Sequence, residues 1–242
     1  MKRLVIAGLP CPADAWLDFL EEDSSDSDTT RVISMGEVFA KTESSDPREL
    51  ASYVQDEIAH FRPDSIVCHG IGVPLTLLGM WRLRRQEGAK YNPRITIFNG
   101  AFRKVSLLQA REPLWIQLLP ARRLAKHAEM AGGKVDLHLK QQMYKIRALY
   151  RTIILHRATE KISQVLGLDS FARIPRGERF RLDVQVIASS NDPFLPLDAM
   201  EKLASDLKAK RFVVTEYGHF PYSGDETTIL PAIHSFEKAQ VC

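Results

Sequence analysis

Between Ser65 and Pro74 the chain reads SIVCHGIGVP, an apolar run that breaks into two glycines two residues apart and then turns helical. A turn of this shape usually carries a serine at its apex, whose hydroxyl would be a nucleophile. Here the apex is Gly70, which has nothing to attack with. Cys68 offers a thiol close by, and its thiolate would need a charge-stabilising neighbour such as His69. The plainer reading of Cys68 is a buried cysteine serving as a small apolar residue. Two later stretches set an acid and a base among turn residues: SSNDPFLP, containing Asp192, and EYGHFPYSGDE, containing His219. The remaining histidines, His60, His127, His138, His156 and His234, form no HExxH or paired spacing, so no metal site and no cofactor are expected. HGIG lacks the GxxxxGK[ST] pattern of a phosphate-cradling loop.

These residues have to be positioned by the elements around them. Leu4 to Gly8 is a continuous apolar run that suits a strand buried on both faces, and Ala13 to Glu22 carries Trp16, Phe19 and Leu20 at helical spacing. Glu21 to Asp28 is an acidic, serine-rich loop, more fitting for a solvated connection than for calcium binding. A second short strand is expected near Arg31–Met35. After Asp46-Pro47, which reads as a cap and first turn, Leu50, Tyr53, Val54, Ile58 and Phe61 share one helix face. SIVCH is a third strand, Leu75–Gln86 a helix and Arg94–Phe102 a fourth strand. The alternation stops over 103–179, which contains helical patterns, and resumes with a strand at Leu182–Ala188, a helix at Leu197–Lys208, a strand at Arg211–Thr215 and a helix from about Thr227 to Ala239. Strands and helices in alternation imply a mainly parallel sheet covered on both faces, with the helical block inserted as a lid between two of its strands.

A chain of 242 residues with 45% hydrophobic and 26% charged content can bury a large core. Its net charge of +3 conceals a division along the same boundaries. Residues 103–179 hold 16 Lys and Arg against 6 Asp and Glu, leaving 17 against 24 for the rest: a basic insert on an acidic body. Its amphipathic segments could cover a pocket with their apolar side while the basic side is solvated, or could recognise an anionic ligand or an acidic protein partner. Nucleic acid is not expected, because the overall charge is small and no base-reading motif occurs. No stretch approaches the ~18 apolar residues of a membrane span, and the apolar run Leu4–Leu9 is shorter than the ~7–15 residues of a secretion signal core. Three scattered cysteines, Cys11, Cys68 and Cys242, suggest neither a disulfide framework nor a zinc site, so a cytoplasmic location is expected.

Four separated segments, in this order, resemble the α/β-hydrolase superfamily. VIAGLPCPADAW is similar to the strand and oxyanion loop that open many such enzymes, and PDSIVCHGIGVPL to the strand, nucleophile elbow and helix written GxSxG. VQVIASSNDPFLP is similar to the strand and loop that supply the acid, and EYGHFPYSGDE to the loop that presents the histidine. The resemblance implies an α/β-hydrolase-like fold: a twisted, mostly parallel sheet of about six strands flanked by helices, with a core formed by 1–102 and 180–242 and a basic helical lid at 103–179.

The family order of nucleophile, acid and histidine implies Gly70 at the nucleophile position, with Asp192 and His219 as the intact members of the triad. In such a triad the histidine takes the nucleophile's proton, while the carboxylate fixes the imidazole tautomer and stabilises its charged form. The Ile71 N–H, behind an elbow flanked by His69, would supply one oxyanion donor. Leu9 or Cys11 would supply the other, because Pro10 has no N–H. Several readings remain open at this point. The chain could be a pseudoenzyme that binds a small-molecule ligand or acts as an accessory protein. It could use the His–Asp pair as a general base on an acyl-type or aromatic small molecule. It could be an esterase- or thioesterase-like hydrolase with Cys68 as nucleophile, or a conventional hydrolase in a different register.

Overall fold

The computed structural model describes residues 1–8, 13–21, 29–43, 47–88, 91–100, 182–192, 195–216, 218–220 and 226–239. The expected lid at 103–179, with its anionic-partner reading, lies outside the described residues, as do Leu9, Cys11 and Cys242. Six strands are described: β1 (Lys2–Ile6), β2 (Thr29–Ile33), β3 (Ser65–His69), β4 (Arg94–Phe98), β5 (Asp183–Ser189) and β6 (Arg211–Thr215). They form one sheet in the order β2-β1-β3-β4-β5-β6, and every neighbouring pair is parallel. The described helices are α1 (Ala13–Glu21), α2 (Met35–Thr42), α3 (Pro47–Phe61), α4 (Gly72–Glu87), α5 (Leu197–Leu207) and α6 (Glu226–Lys238).

Strand alternation sorts the core into two layers. Leu4, Ile6, Ile66, Cys68, Ile95 and Ile97 pack with Met35 and Val38 of α2, with α3 and α4, and with Met200, Leu203 and Leu207 of α5. The intervening residues Val5, Ala7, Val67, Phe98 and Ile187 pack against Trp16, Phe19 and Leu20 of α1 and Ile229, Leu230 and Ile233 of α6. Burial on both faces is why these strands read as unbroken apolar runs. It also gives consecutive strand residues different neighbours, which matters at Cys68 and His69.

Several element boundaries differ from the sequence reading, and three of them shape the fold around the site. β2 ends at Ile33 and is followed by α2, where one strand to Met35 was expected. An eight-residue helix with Gly36 in its first turn has too short a pattern to stand out, and its start is held by the Glu37 N–H donating to Ser34 Oγ at 3.2 Å. α4 begins at Gly72 rather than Leu75, so the helix starts directly out of the elbow. β4 ends at Phe98 rather than Phe102, because Asn99 turns out of the extended region with φ +38°.

The lower end of the sheet is tied by a buried ion pair. Arg3 donates from Nε to Glu237 Oε1 at 2.7 Å and from Nη2 to Oε2 at 2.5 Å, and Ser65 Oγ donates to Oε1 at 2.8 Å. Arg94 donates to the carbonyls of Glu237 and Ala239. The C-terminal helix is thereby fastened to β1, β3 and β4 at the edge away from the elbow. The chain enters the sheet at β1, crosses to the β2 edge and then reverses to β3, so the strand order switches between β1 and β3. In an open parallel sheet, ligands bind outside the carboxyl ends of the strands at such a switch.

Candidate active site

The carboxyl ends of β1 and β3 approach closely. A β-carbon on Gly8 would lie 2.6 Å from the carbonyl oxygen of His69, so only glycine fits there. The chain then turns at Gly70, whose φ of +54° lies in the left-handed region. The Gly70 N–H donates to the Asn99 carbonyl at 3.1 Å, and its own carbonyl accepts the Val73 N–H at 3.2 Å as α4 begins. Ile71 is the N-cap of α4, with φ −67° and ψ −20°.

Loops leaving β5 and β6 bring the acid and base to this turn. The Asn191 N–H donates to Ser189 Oγ at 3.2 Å, and Asn191 Nδ2 donates to the Glu216 carbonyl at 2.6 Å, joining the two loops. Asp192 Oδ2 accepts from His219 Nδ1 at 2.7 Å, and Asp192 Oδ1 accepts the Leu195 N–H at 3.1 Å. The Asp192 side chain is only 1% exposed and that of His219 8%. With Nδ1–H directed at the carboxylate, the neutral imidazole carries its lone pair on Nε2. A β-carbon built on Gly70 would lie 3.9 Å from that nitrogen and 3.5 Å from the α-carbon of Gly8.

His69 and Cys68 adjoin in sequence but occupy opposite faces. His69 is fully buried among the rings of Trp16, Phe98, Phe220 and His219, with centroids 6.0, 5.8, 5.7 and 4.6 Å away. Its Nε2–H donates to the His219 carbonyl at 3.0 Å. Burial, and secondarily the proximity of His219, hold its basicity well below the usual imidazole range, so it is neutral. Cys68 points into the layer of α3 and α4, fully buried, with Sγ 3.6 Å from the Thr96 carbonyl. Burial pushes its thiol far above the usual range, despite a partly opposing hydrogen bond with Thr76.

The structure therefore gathers Gly70, Ile71, His69, Asp192 and His219 at one end of the sheet and turns Cys68 away from them. One residue of the constellation was missed from the sequence. Asn99, fully buried, contacts the elbow, the β5 end and the histidine loop at once. Its only sequence signal is an Asn-Gly pair directly after an apolar strand. Among the described residues, no group of three or more His, Cys, Asp or Glu could hold a metal ion. No helix of the described residues is long and apolar enough to cross a membrane.

A family model described as serine hydrolase matches residues 115–227, a range that includes Asp192 and His219 and omits the elbow. No curated protein matches the sequence. Among solved structures, a hydrolase from Oleispira antarctica superposes with a TM-score of 0.64 at 13% identity, covering 98% of this chain and 91% of its own. A thioesterase from the prodiginine biosynthetic pathway of Streptomyces coelicolor has a TM-score of 0.59 at 14% identity, covering 98% and 90%. A thermophilic esterase from Thermogutta terrifontis has a TM-score of 0.56 at 16% identity, covering 98% and 89%. The parallel six-stranded sheet, the glycine elbow before α4 and this likeness across nearly the whole chain together establish that the protein has the α/β-hydrolase fold.

Proposed function

We propose that this protein is a nucleophile-free member of its fold, in which His219, backed by Asp192, accepts a proton directly from a bound small molecule or from water. The observation that carries the reading is the pairing of a 2.7 Å Asp192–His219 hydrogen bond with a glycine at a position where a β-carbon would sit 3.9 Å from His219 Nε2. A serine hydroxyl extending from that carbon would come within hydrogen-bonding reach of the imidazole, which is the relationship a triad needs. With glycine there, the proton donor proposed for Nε2 is an O–H or acidic C–H of the ligand or of water. Asp192 would hold the tautomer and stabilise the imidazolium as the proton arrives. The Ile71 N–H at the start of α4 is the proposed donor to a developing oxyanion.

The substrate class proposed is an acyl-type or aromatic small molecule carrying a carbonyl, in keeping with the esterase and thioesterase among the structural neighbours. The 16 to 6 excess of basic residues over 103–179 favours an anionic substrate or acyl carrier. Cys68 is assigned a packing role, because its sulfur lies across the sheet from His219.

A second reading, binding without turnover, is favoured by one observation: Asp192 Oδ1 is held by the Leu195 N–H, so the acid has a structural duty apart from any chemistry. One experiment separates the two. Acyl esters, acyl thioesters and aromatic carbon acids are screened with the wild type and with His219→Ala. General-base action requires a loss of ~10²–10⁴ in turnover with binding largely kept. Saturable binding that survives His219→Ala, with no turnover in the wild type, establishes the second reading instead.

A further inference from the structure

We propose that Asn99 is a positioning residue that sets the His219 imidazole, and that the three loops of the site are indexed to each other through its backbone carbonyl and its carboxamide. Asn99 follows β4 directly, is fully buried and has a φ of +38°, a conformation that Asn tolerates better than most side chains. Its backbone N–H donates to the Ile187 carbonyl at 3.2 Å, and its backbone carbonyl accepts the Gly70 N–H at 3.1 Å. Its Oδ1 accepts the Ser189 N–H at 2.9 Å, and its Nδ2 donates to the carbonyls of Gly218 and His219 at 3.1 and 3.0 Å. The elbow, the loop leading to Asp192 and the loop carrying His219 are thus all bonded to one residue.

The polarity of these bonds permits no substitute. A backbone N–H can only donate and a carbonyl only accept, so the group between them needs an acceptor on one side and donors on the other. Asp would set an oxygen against two carbonyls, and Ala would remove this bond from the Ser189 N–H and from the Gly218 and His219 carbonyls, leaving the last its bond from His69. The His219 carbonyl also accepts the His69 Nε2–H at 3.0 Å, so two donors fix this peptide from below. With the peptide fixed, the Cα–Cβ direction of His219 is fixed too, and the ring meets Asp192 on one side and Gly70 on the other. The inference rests on the functional reading above only in taking His219 as the working imidazole, and its test requires no turnover.

The test reads the ¹⁵N shifts of the His219 ring at pH 8 in the full chain labelled at histidine, with the resonances assigned by their loss in His219→Ala. The wild type is expected to show a protonated Nδ1 and an unprotonated Nε2. Asn99→Asp and Asn99→Ala are expected to shift both nitrogens toward the values of a mixed tautomer while far-UV circular dichroism stays native. Ser65→Ala, which loses one hydrogen bond at the opposite end of the sheet, is expected to leave the ring unchanged. Wild-type His219 shifts in both Asn99 variants would overturn the inference. So would failure of both to fold where Ser65→Ala folds, since Asn99 would then be a folding residue only. A changed tautomer in a protein with no turnover leaves this inference standing and removes the general-base reading. Turnover with an unchanged tautomer does the reverse.

Discussion

His69 donates its Nε2 proton to the backbone carbonyl of His219 at 3.0 Å, and the two rings lie 4.6 Å apart between centroids. A neutral imidazole at the end of β3 therefore supports the loop that presents His219, the proposed base. This arrangement works only while His69 stays uncharged, because its surroundings are aromatic rings and the neighbouring His219.

That condition has a pH signature. In the unfolded chain His69 protonates near its ordinary value of 6.5, whereas in the folded state burial keeps it neutral to much lower pH. Above 6.5 both states are neutral and the residue contributes no pH dependence. Below 6.5 the unfolded state binds the extra proton, so the fold loses about 1.4 kcal/mol per pH unit from this residue. His69→Gln, which can keep an N–H toward the His219 carbonyl, is expected to remove that share. Urea unfolding at pH 7.5 and 5.5 measures it, and parallel losses in wild type and variant would show that His69 does not carry the effect.

Restoring a hydroxyl tests the register of the elbow. Gly70→Ser is expected to cost roughly 1–3 kcal/mol, because a side chain is forced into the left-handed region at φ +54°. In return it should acquire fluorophosphonate labelling at residue 70 and slow hydrolysis of short acyl esters, both abolished by adding His219→Ala. Mass spectrometry locates the adduct. A variant that folds but neither labels nor hydrolyses would contradict the assignment of residue 70 as the nucleophile position.

Cys68 is expected to be inert. In a Cys11→Ser, Cys242→Ser background, the native protein should react with a thiol reagent only as fast as it unfolds, since the Cys68 thiol is fully buried and its ionisation suppressed. Cys68→Ala should leave any turnover within a few-fold of wild type. Rapid modification in the folded state, or loss of turnover in a folded Cys68→Ala variant, would restore the cysteine to the catalytic role considered from the sequence.

Stability should be most sensitive at the opposite end of the sheet. Glu237→Ala leaves Arg3, which is 1% exposed, as a buried and unpaired charge, with Ser65 also losing its acceptor. Breaking one side of such a pair typically costs about 3–5 kcal/mol. The double variant Arg3→Met, Glu237→Leu should recover most of that loss, because it removes both charges together. Denaturant midpoints of the single and double variants decide the point. An additive double loss would mean that the lost stability comes from packing rather than from the stranded charge.

Much of the architecture was legible in the sequence because it depends on local pattern. Leu4–Gly8, SIVCH and Leu182–Ala188 read as strands since burial on both faces demands unbroken apolar runs, and the Leu50–Phe61 periodicity reads as one helix face. The resemblance of the elbow, acid and histidine segments then placed Gly70, Asp192 and His219 in order. What the sequence left open concerned contacts between residues far apart in the chain. Alternation along β3 shows that Cys68 and His69 point to opposite faces, but only the docking of α1, α6 and the His219 loop decides which face holds the chemistry. The Arg3–Glu237 pair spans 234 residues and the Asn99–His219 bond 120, so no local periodicity announces either. Backbone strain at Gly70 and the reach of its absent side chain toward His219 are likewise properties of strand ends brought together by packing. The order of the elements and the candidate acid and base were legible in the chain. Their distances, and the face on which they meet, arise from the folded sheet, where side-chain burial and hydrogen-bond polarity select one arrangement.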